Sequence, residues 1–262
     1  MLNYQKLVSH VLEYGALRKN RTGIDTISVF GASLVHDMRA GLPILTTKKI
    51  YIKGCIYELL WFLKGDTNIK YLTDNNVHIW DEWADKDGNL GPIYGKQWIN
   101  SGEKHINQIQ YIINEIKHNP YSRRIVLDAW GPSDLKDMAL PPCHVLYQFY
   151  ADPASKQLSL NVYMRSGDLF LGVPFDIAEG GLLLNMVATV TGYNPYRLTY
   201  YFGDLHIYVN HLNAIKEQLS REPYKLPKLD LPIKESIFDY KYKDFKILNY
   251  KCHPTIKGKV AI

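Results

Sequence analysis

The sequence predicts an α+β fold organised as one domain around a large sheet. Three observations carry this expectation: stretches of helical periodicity interleave irregularly with β-branched and aromatic runs, no internal repeat or linker divides the chain, and 262 residues lie near the upper size of one hydrophobic core. Hydrophobic residues make up 46% and charged residues 22%, near the globular average, proportions that disfavour a disordered, collagenous or coiled-coil chain. The domain is expected to run over 1–262.

In chain order, Tyr4, Leu7, Val8, Val11 and Leu12 recur at offsets of three and four, the buried face of a first helix. Thr26–Val35 reads as a strand on both sides of Gly31, and Gly41-Leu42-Pro43 as a turn. Tyr51–Lys64 is apolar at helical spacing, with Gly65 to close it. A further helix is expected over Ile106–His118, its stripe formed by Ile106, Ile109, Ile112, Ile113 and Ile116 and its stop by Asn119-Pro120. Arg124–Trp130, His144–Tyr150 and Leu158–Met164 read as three strands, the last two joined by a turn at Asp152-Pro153. Ile177–Val190 is a buried helix in which Gly180 and Gly181 imply close packing. Tyr196–Tyr201 is strand-like and Ile207–Leu219 helical.

No apolar run approaches the roughly 20 residues of a membrane span, and Lys6, His10 and Glu13 interrupt the N-terminal segment, so a cytoplasmic protein is expected. Cys55, Cys143 and Cys252 form no CxxC pair, which fits a reducing compartment and suggests neither a disulfide framework nor a metal site. The net charge of +5 is mild and its lysines are scattered, so a nucleic-acid partner is disfavoured and a small polyanion is the better expectation. Neither a P-loop nor a dinucleotide fingerprint is present.

The chemically informative pattern is Pro141-Pro142-Cys143-His144, followed some twenty residues later by Arg165-Ser166-Gly167-Asp168. Two prolines hold the backbone out of helix and mount the thiol at the start of a strand. A free cysteine is otherwise a small buried hydrophobe, but a nearby Arg165 would draw its pKa toward the thiolate. The adjacent Arg123 and Arg124 suit a phosphate dianion, the alternative being a solvated pair.

These motifs, with NRTG (20–23), PILTTKK (43–49), ELLWFLKGDTNI (58–69), IWDEWAD (79–85), GPIYGKQW (91–98), RSGDLFLGVPFDIA (165–178) and GDLHIY (203–208), resemble the thymidylate synthase family over essentially the whole chain. The resemblance implies an α+β homodimer packed sheet against sheet, and one-carbon transfer from 5,10-methylenetetrahydrofolate to C5 of a deoxypyrimidine monophosphate. It implies that Cys143 adds to C6 of the base, that Glu58 relays protons through water, and that Tyr94 helps remove the C5 proton. Arg21, Arg165 and Ser166 would hold the 5′-phosphate together with Arg123 and Arg124 of the other subunit, and His206 and Tyr208 the ribose 3′-hydroxyl. Trp80 and Trp83 would wall the folate site, Asp168 would grip the pterin, Lys48 would meet the glutamate tail, and the chain end at Ile262 would close over the ligands.

Departures from the family pattern bear on specificity. Asp176 stands where the synthases have a base-reading asparagine, and Glu179-Gly180-Gly181 replaces a Ser-Tyr-Ala stretch. The aspartate resembles that of the deoxycytidylate hydroxymethylase and methyltransferase branch associated with phages, which would place the protein in a host cytoplasm. The expected substrate is dCMP, with a hydroxymethyl product favoured over methyl because Glu179 and the two glycines could admit or orient a water. Conversion of dUMP to dTMP is the alternative, and a nucleotide- or RNA-binding homologue without turnover a remote one. In a further alternative, Asp176 merely caps a helix beginning at Ile177.

Overall fold

The computed structural model describes residues 2–260. The elements are α1 (Leu2–Tyr14), β1 (Ala16–Arg18), β2 (Thr26–Asp37), α2 (Ile52–Leu63), α3 (Lys70–Asp74), α4 (Tyr94–Ile99), α5 (Gln108–His118), β3 (Val126–Asp128), β4 (His144–Asp152), β5 (Gln157–Asp168), α6 (Gly172–Thr191), β6 (Asn194–Tyr208), α7 (Leu212–Leu219), β7 (Lys228–Asp230) and β8 (Lys246–Leu248). Six strands form one sheet in the order β1-β2-β6-β5-β4-β3, and β7 pairs with β8 apart from it. Among the described residues only β5 and β6 run parallel, joined through α6, so the large sheet is mixed.

One face of this sheet is covered and the other is not. Alternation along β4, β5 and β6 sends Phe149, Leu160, Val162, Leu198, Tyr200 and Phe202 inward; β5 and β6 pack onto α6, which is buried along most of its length and packs against α2. Each large apolar side chain so buried contributes roughly 1.5–3 kcal/mol. The opposite residues Val35, Tyr150, Tyr163 and Tyr201 stay 43, 69, 42 and 46% exposed, an aromatic outer face without a covering layer.

Several element boundaries differ from the sequence expectation. Helix α6 starts at Gly172 rather than Ile177, because Pro174 falls in the first turn, where a missing N–H breaks no helical bond. Asp176 therefore lies inside the helix and does not cap it, which removes the capping alternative. Strand β6 extends through Tyr208, with Ile207 paired to Ile27, so the helix expected from Ile207 begins only at Leu212 after a 3₁₀ turn. Ile106 is half exposed and bridges to Ser101, while Asn107 caps α5 by accepting from the Gln110 N–H at 2.9 Å. β3 shrinks to three residues at the sheet edge, whereas β5 continues to Asp168 and carries Arg165 and Ser166 on a strand. Gly65, at φ +69°, follows α2 as expected.

Candidate active site

A cleft of about 1270 Å³ opens where the ends of β5 and β6, the first turns of α6, α2 and the segments around Trp80 and Pro141 converge. Cys143 sits in it immediately before β4, and three contacts fix its loop. Its N–H donates to the Tyr94 hydroxyl at 2.7 Å, and its carbonyl accepts from the Arg165 N–H at 3.0 Å. The Arg165 guanidinium donates to the carbonyls of Pro142 (2.8 Å) and Pro141 (2.7 Å) and lies over the Trp130 ring. The expected depression of the thiol pKa does not occur. Burial outweighs the attraction of Arg165 and Arg21 and pushes the Cys143 thiol up to about 11, so the resting group is protonated.

The inner end of the cleft is acidic. Asp176 and Glu179, three residues apart on α6, face the same way, toward Glu58 on α2. Trp80 Nε1 donates to Glu58 Oε1 at 2.6 Å, and Glu179 lines the same inner end of the cleft, close enough to Glu58 for the two carboxyls to act on each other. Burial raises both carboxyls, and the charge of Glu58 raises that of Glu179 further, so the pair as a unit favours holding a proton. Asp176 Oδ1 lies 3.0 Å from His144 Nε2. That contact is off hydrogen-bond geometry, leaving both buried ring nitrogens of His144 without a hydrogen bond.

The two glycines of α6 do not make room for water. A Cβ on Gly180 would lie 2.3 Å from the Tyr200 hydroxyl, which donates to the Asp176 carbonyl at 2.5 Å, and one on Gly181 would lie 2.7 Å from the Pro43 ring. Tyr200 and Pro43 already fill that space. Gly180→Ala is accordingly expected to cost about 1–3 kcal/mol. Urea denaturation checks this; an unchanged midpoint would show that Tyr200 yields freely.

Toward the mouth, Arg21, Arg165 and Ser166 line the cleft. The parallel register sets Ser166 beside Asp204 and Asp168 beside His206. His206 Nδ1 lies 3.0 Å from Asp204 Oδ1, and its ring meets Tyr208 edge-on at 5.2 Å. Trp80 and Trp83 pack edge to face at 5.7 Å as one wall. Asp168 Oδ1 accepts from the Phe170 N–H at 2.9 Å. The C-terminal segment is tied down where the Lys259 carbonyl meets His211 Nε2 at 2.9 Å, bringing Val260 to the cleft; Ile262 lies outside the described residues.

Other expected site residues stand apart. Lys48, expected at a glutamate tail, is buried away from the cleft: its Nζ donates to the Phe170 carbonyl and lies 3.7 Å from the Phe170 ring centroid, and desolvation lowers its pKa to about 8. Arg123 and Arg124 line a separate shallow cavity with Tyr111, Glu115 and Tyr121. Sequence reasoning passed over His144, Asp204 and Trp130, all in the cleft. Two carried a signal: His144 adjoins Cys143, and Asp204 precedes His206 by the two residues that share a strand face. The chain matches the family model described as thymidylate synthase over residues 2–262.

Proposed function

The chain belongs to the thymidylate synthase family of folate-dependent one-carbon transferases, and on that premise we propose that its substrate is dCMP and its product the 5-hydroxymethyl nucleotide. The observation that carries this reading is the Asp176 carboxyl at the inner end of the cleft that holds Cys143, paired in distance with His144. Cytosine presents a donor amine at N4 and an acceptor at N3. A carboxyl can accept from the first with one oxygen and, when protonated, donate to the second with the other. Against uracil the same carboxylate meets O4 lone pair to lone pair, at roughly 1–3 kcal/mol for the unpaired contact, a 5- to 150-fold preference.

In this reading Cys143 adds through Sγ to C6 and makes C5 nucleophilic. Methylenetetrahydrofolate, when bound, supplies the one-carbon unit that C5 takes up. The cleft exceeds the usual 300–1,000 Å³ of a single small-ligand pocket, enough for nucleotide and folate together. Trp80, Trp83 and Asp168 suit a flat, amide-rich pterin. Arg21, Arg165 and Ser166 would hold the phosphate, His206 and Tyr208 the 3′-hydroxyl, and Glu58 and Tyr94 would move protons at the base. A homodimer is part of the proposal, supported by the aromatic outer sheet face and by the placement of Arg123 and Arg124 outside their own chain's cleft and beside β3 at the sheet edge. The proposed location is the cytoplasm. The second reading, dUMP to dTMP, draws on the buried Trp80 wall, which favours a water-poor site that delivers hydride instead.

Asp176→Asn tests the assignment. With each nucleotide and methylenetetrahydrofolate supplied in turn and products identified by mass, the unaltered enzyme is expected to prefer dCMP and the variant to shift toward dUMP. A wild-type preference for dUMP would refute the cytosine assignment, and an unchanged preference in the variant would remove Asp176 from base reading.

A further inference from the structure

Glu179 is a buried carboxyl at the inner end of the cleft, 4% exposed, sharing that end with the Glu58 carboxyl, which is itself anchored by the Trp80 indole N–H at 2.6 Å. Burying an acid without a cation is costly, and among the described residues the groups around it supply none: Glu58 and Cys55 lie toward it from α2, Asp176 from its own helix, Tyr147 from β4 and Tyr200 from β6. His144, beside Asp176, also faces Glu58. No lysine or arginine is among these. Two carboxyls in such contact cannot both ionise, so they hold one proton between them and remain able to take another.

We propose that Glu179 is a second acid–base group of this site, acting with Glu58 as a one-proton pair that receives the proton of the water adding to the one-carbon unit on C5. The inference rests on the hydroxymethyl reading above. The water oxygen bonds to the methylene carbon attached to C5. The π pair of that C5–methylene bond closes the C5–C6 double bond, and the C6–S bond breaks with its electrons returning to Cys143. The water's proton passes to the carboxyl pair and finally balances the released thiolate. No oxidant or reductant is consumed. With the space at Gly180 and Gly181 filled, the carboxyl pair rather than a void is what orients the water.

Two measurements on Glu179→Gln test this. The first needs no ligand: urea denaturation of wild type and variant between pH 5.5 and 8. A raised folded-state pKa means that the native protein binds more protons than the unfolded chain, whose glutamates titrate near 4.3, so wild-type stability falls as pH rises across this window. The folding constant of the wild type should drop relative to the variant by up to about tenfold, or ~1.4 kcal/mol, per pH unit. Parallel curves would refute the pair.

The second measurement separates steps. Release of tritium from C5-labelled nucleotide reports the chemistry before water adds, and mass analysis reports hydroxymethyl product. Glu179→Gln should keep tritium release within about tenfold while product falls by about 10²–10⁴-fold. Both falling together, or neither, would overturn the proposal. A wild-type enzyme that makes methyl nucleotide with one dihydrofolate per turnover would overturn the hydroxymethyl reading and the water step with it. That result differs from failure of the Glu179 role alone, in which wild type and variant both make the hydroxymethyl nucleotide.

Discussion

Turnover is expected to vanish, by at least about 10⁴-fold, when Cys143 is replaced by alanine, while nucleotide binding stays within a few-fold of wild type. The asymmetry follows from the site. Arg21, Arg165, Ser166 and His206 present their polar groups independently of the thiol, and the Arg165 clamp grips the carbonyls of Pro141 and Pro142, not the sulfur. Calorimetry gives the binding term and product analysis the turnover. A 5-fluoropyrimidine nucleotide with the folate should leave an adduct on the wild type, seen by intact mass, and none on the variant. Because burial holds the thiol near 11, alkylation of Cys143 in the free protein should climb about tenfold per pH unit from 7 to 10. Normal activity in the alanine variant, or no wild-type adduct, would remove the covalent mechanism.

Activity is also expected to reappear from two inactive proteins. If Arg123 and Arg124 complete the partner's phosphate site, Arg123→Glu and Cys143→Ala should each be inactive alone. Unfolded and refolded together in equal amounts, they should form mixed dimers in which one site carries both lesions and the other neither. With random pairing, half the dimers are mixed, so about a quarter of the sites recover. The separation of Arg123 and Arg124 from their own cleft is what makes the lesions separable. Absence of rescue in dimers verified as mixed would mean that each chain uses its own arginines.

Elements with uninterrupted periodicity were legible in the sequence: the α5 stripe Ile109, Ile112, Ile113 and Ile116 is buried, and α2 ends before Gly65. What escaped were boundaries at residues that usually break structure. Pro174 and Gly172 hid the first turn of α6, and Gly203 hid the continuity of β6. That glycine is required by close approach, since a Cβ there would lie 2.9 Å from the Arg165 carbonyl oxygen. The cleft's residue identities were largely readable because motif residues carry them. Their electrostatics were not. Proximity of Arg165 to Cys143 can be guessed from the chain, but the burial that overrides it is a property of packing, and the inward turn of Lys48 toward Phe170 has no counterpart in its local sequence.

Helix α6 has a bearing on how the chain folds. Contrary to the expectation that no apolar run approaches a membrane span, Gly172–Thr191 is by length and composition alone long and apolar enough to cross a membrane, because Pro174, Asp176 and Glu179 do not interrupt the helix; in the native protein it is the wrapped core helix. Before folding, the same stretch is an exposed lure for lipid and for other chains. Its neighbours in sequence, β5 and β6, are also its neighbours in space, so one side of it can be sheltered by contacts over short chain separations before α2, distant in sequence, packs on the other. Asp176 and Glu179 work in the same direction, because a carboxylate within a bilayer costs a few kcal/mol (~3 for an aspartate at mid-span). The two acids at the inner end of the cleft thus also bias the nascent segment toward water and toward its own sheet.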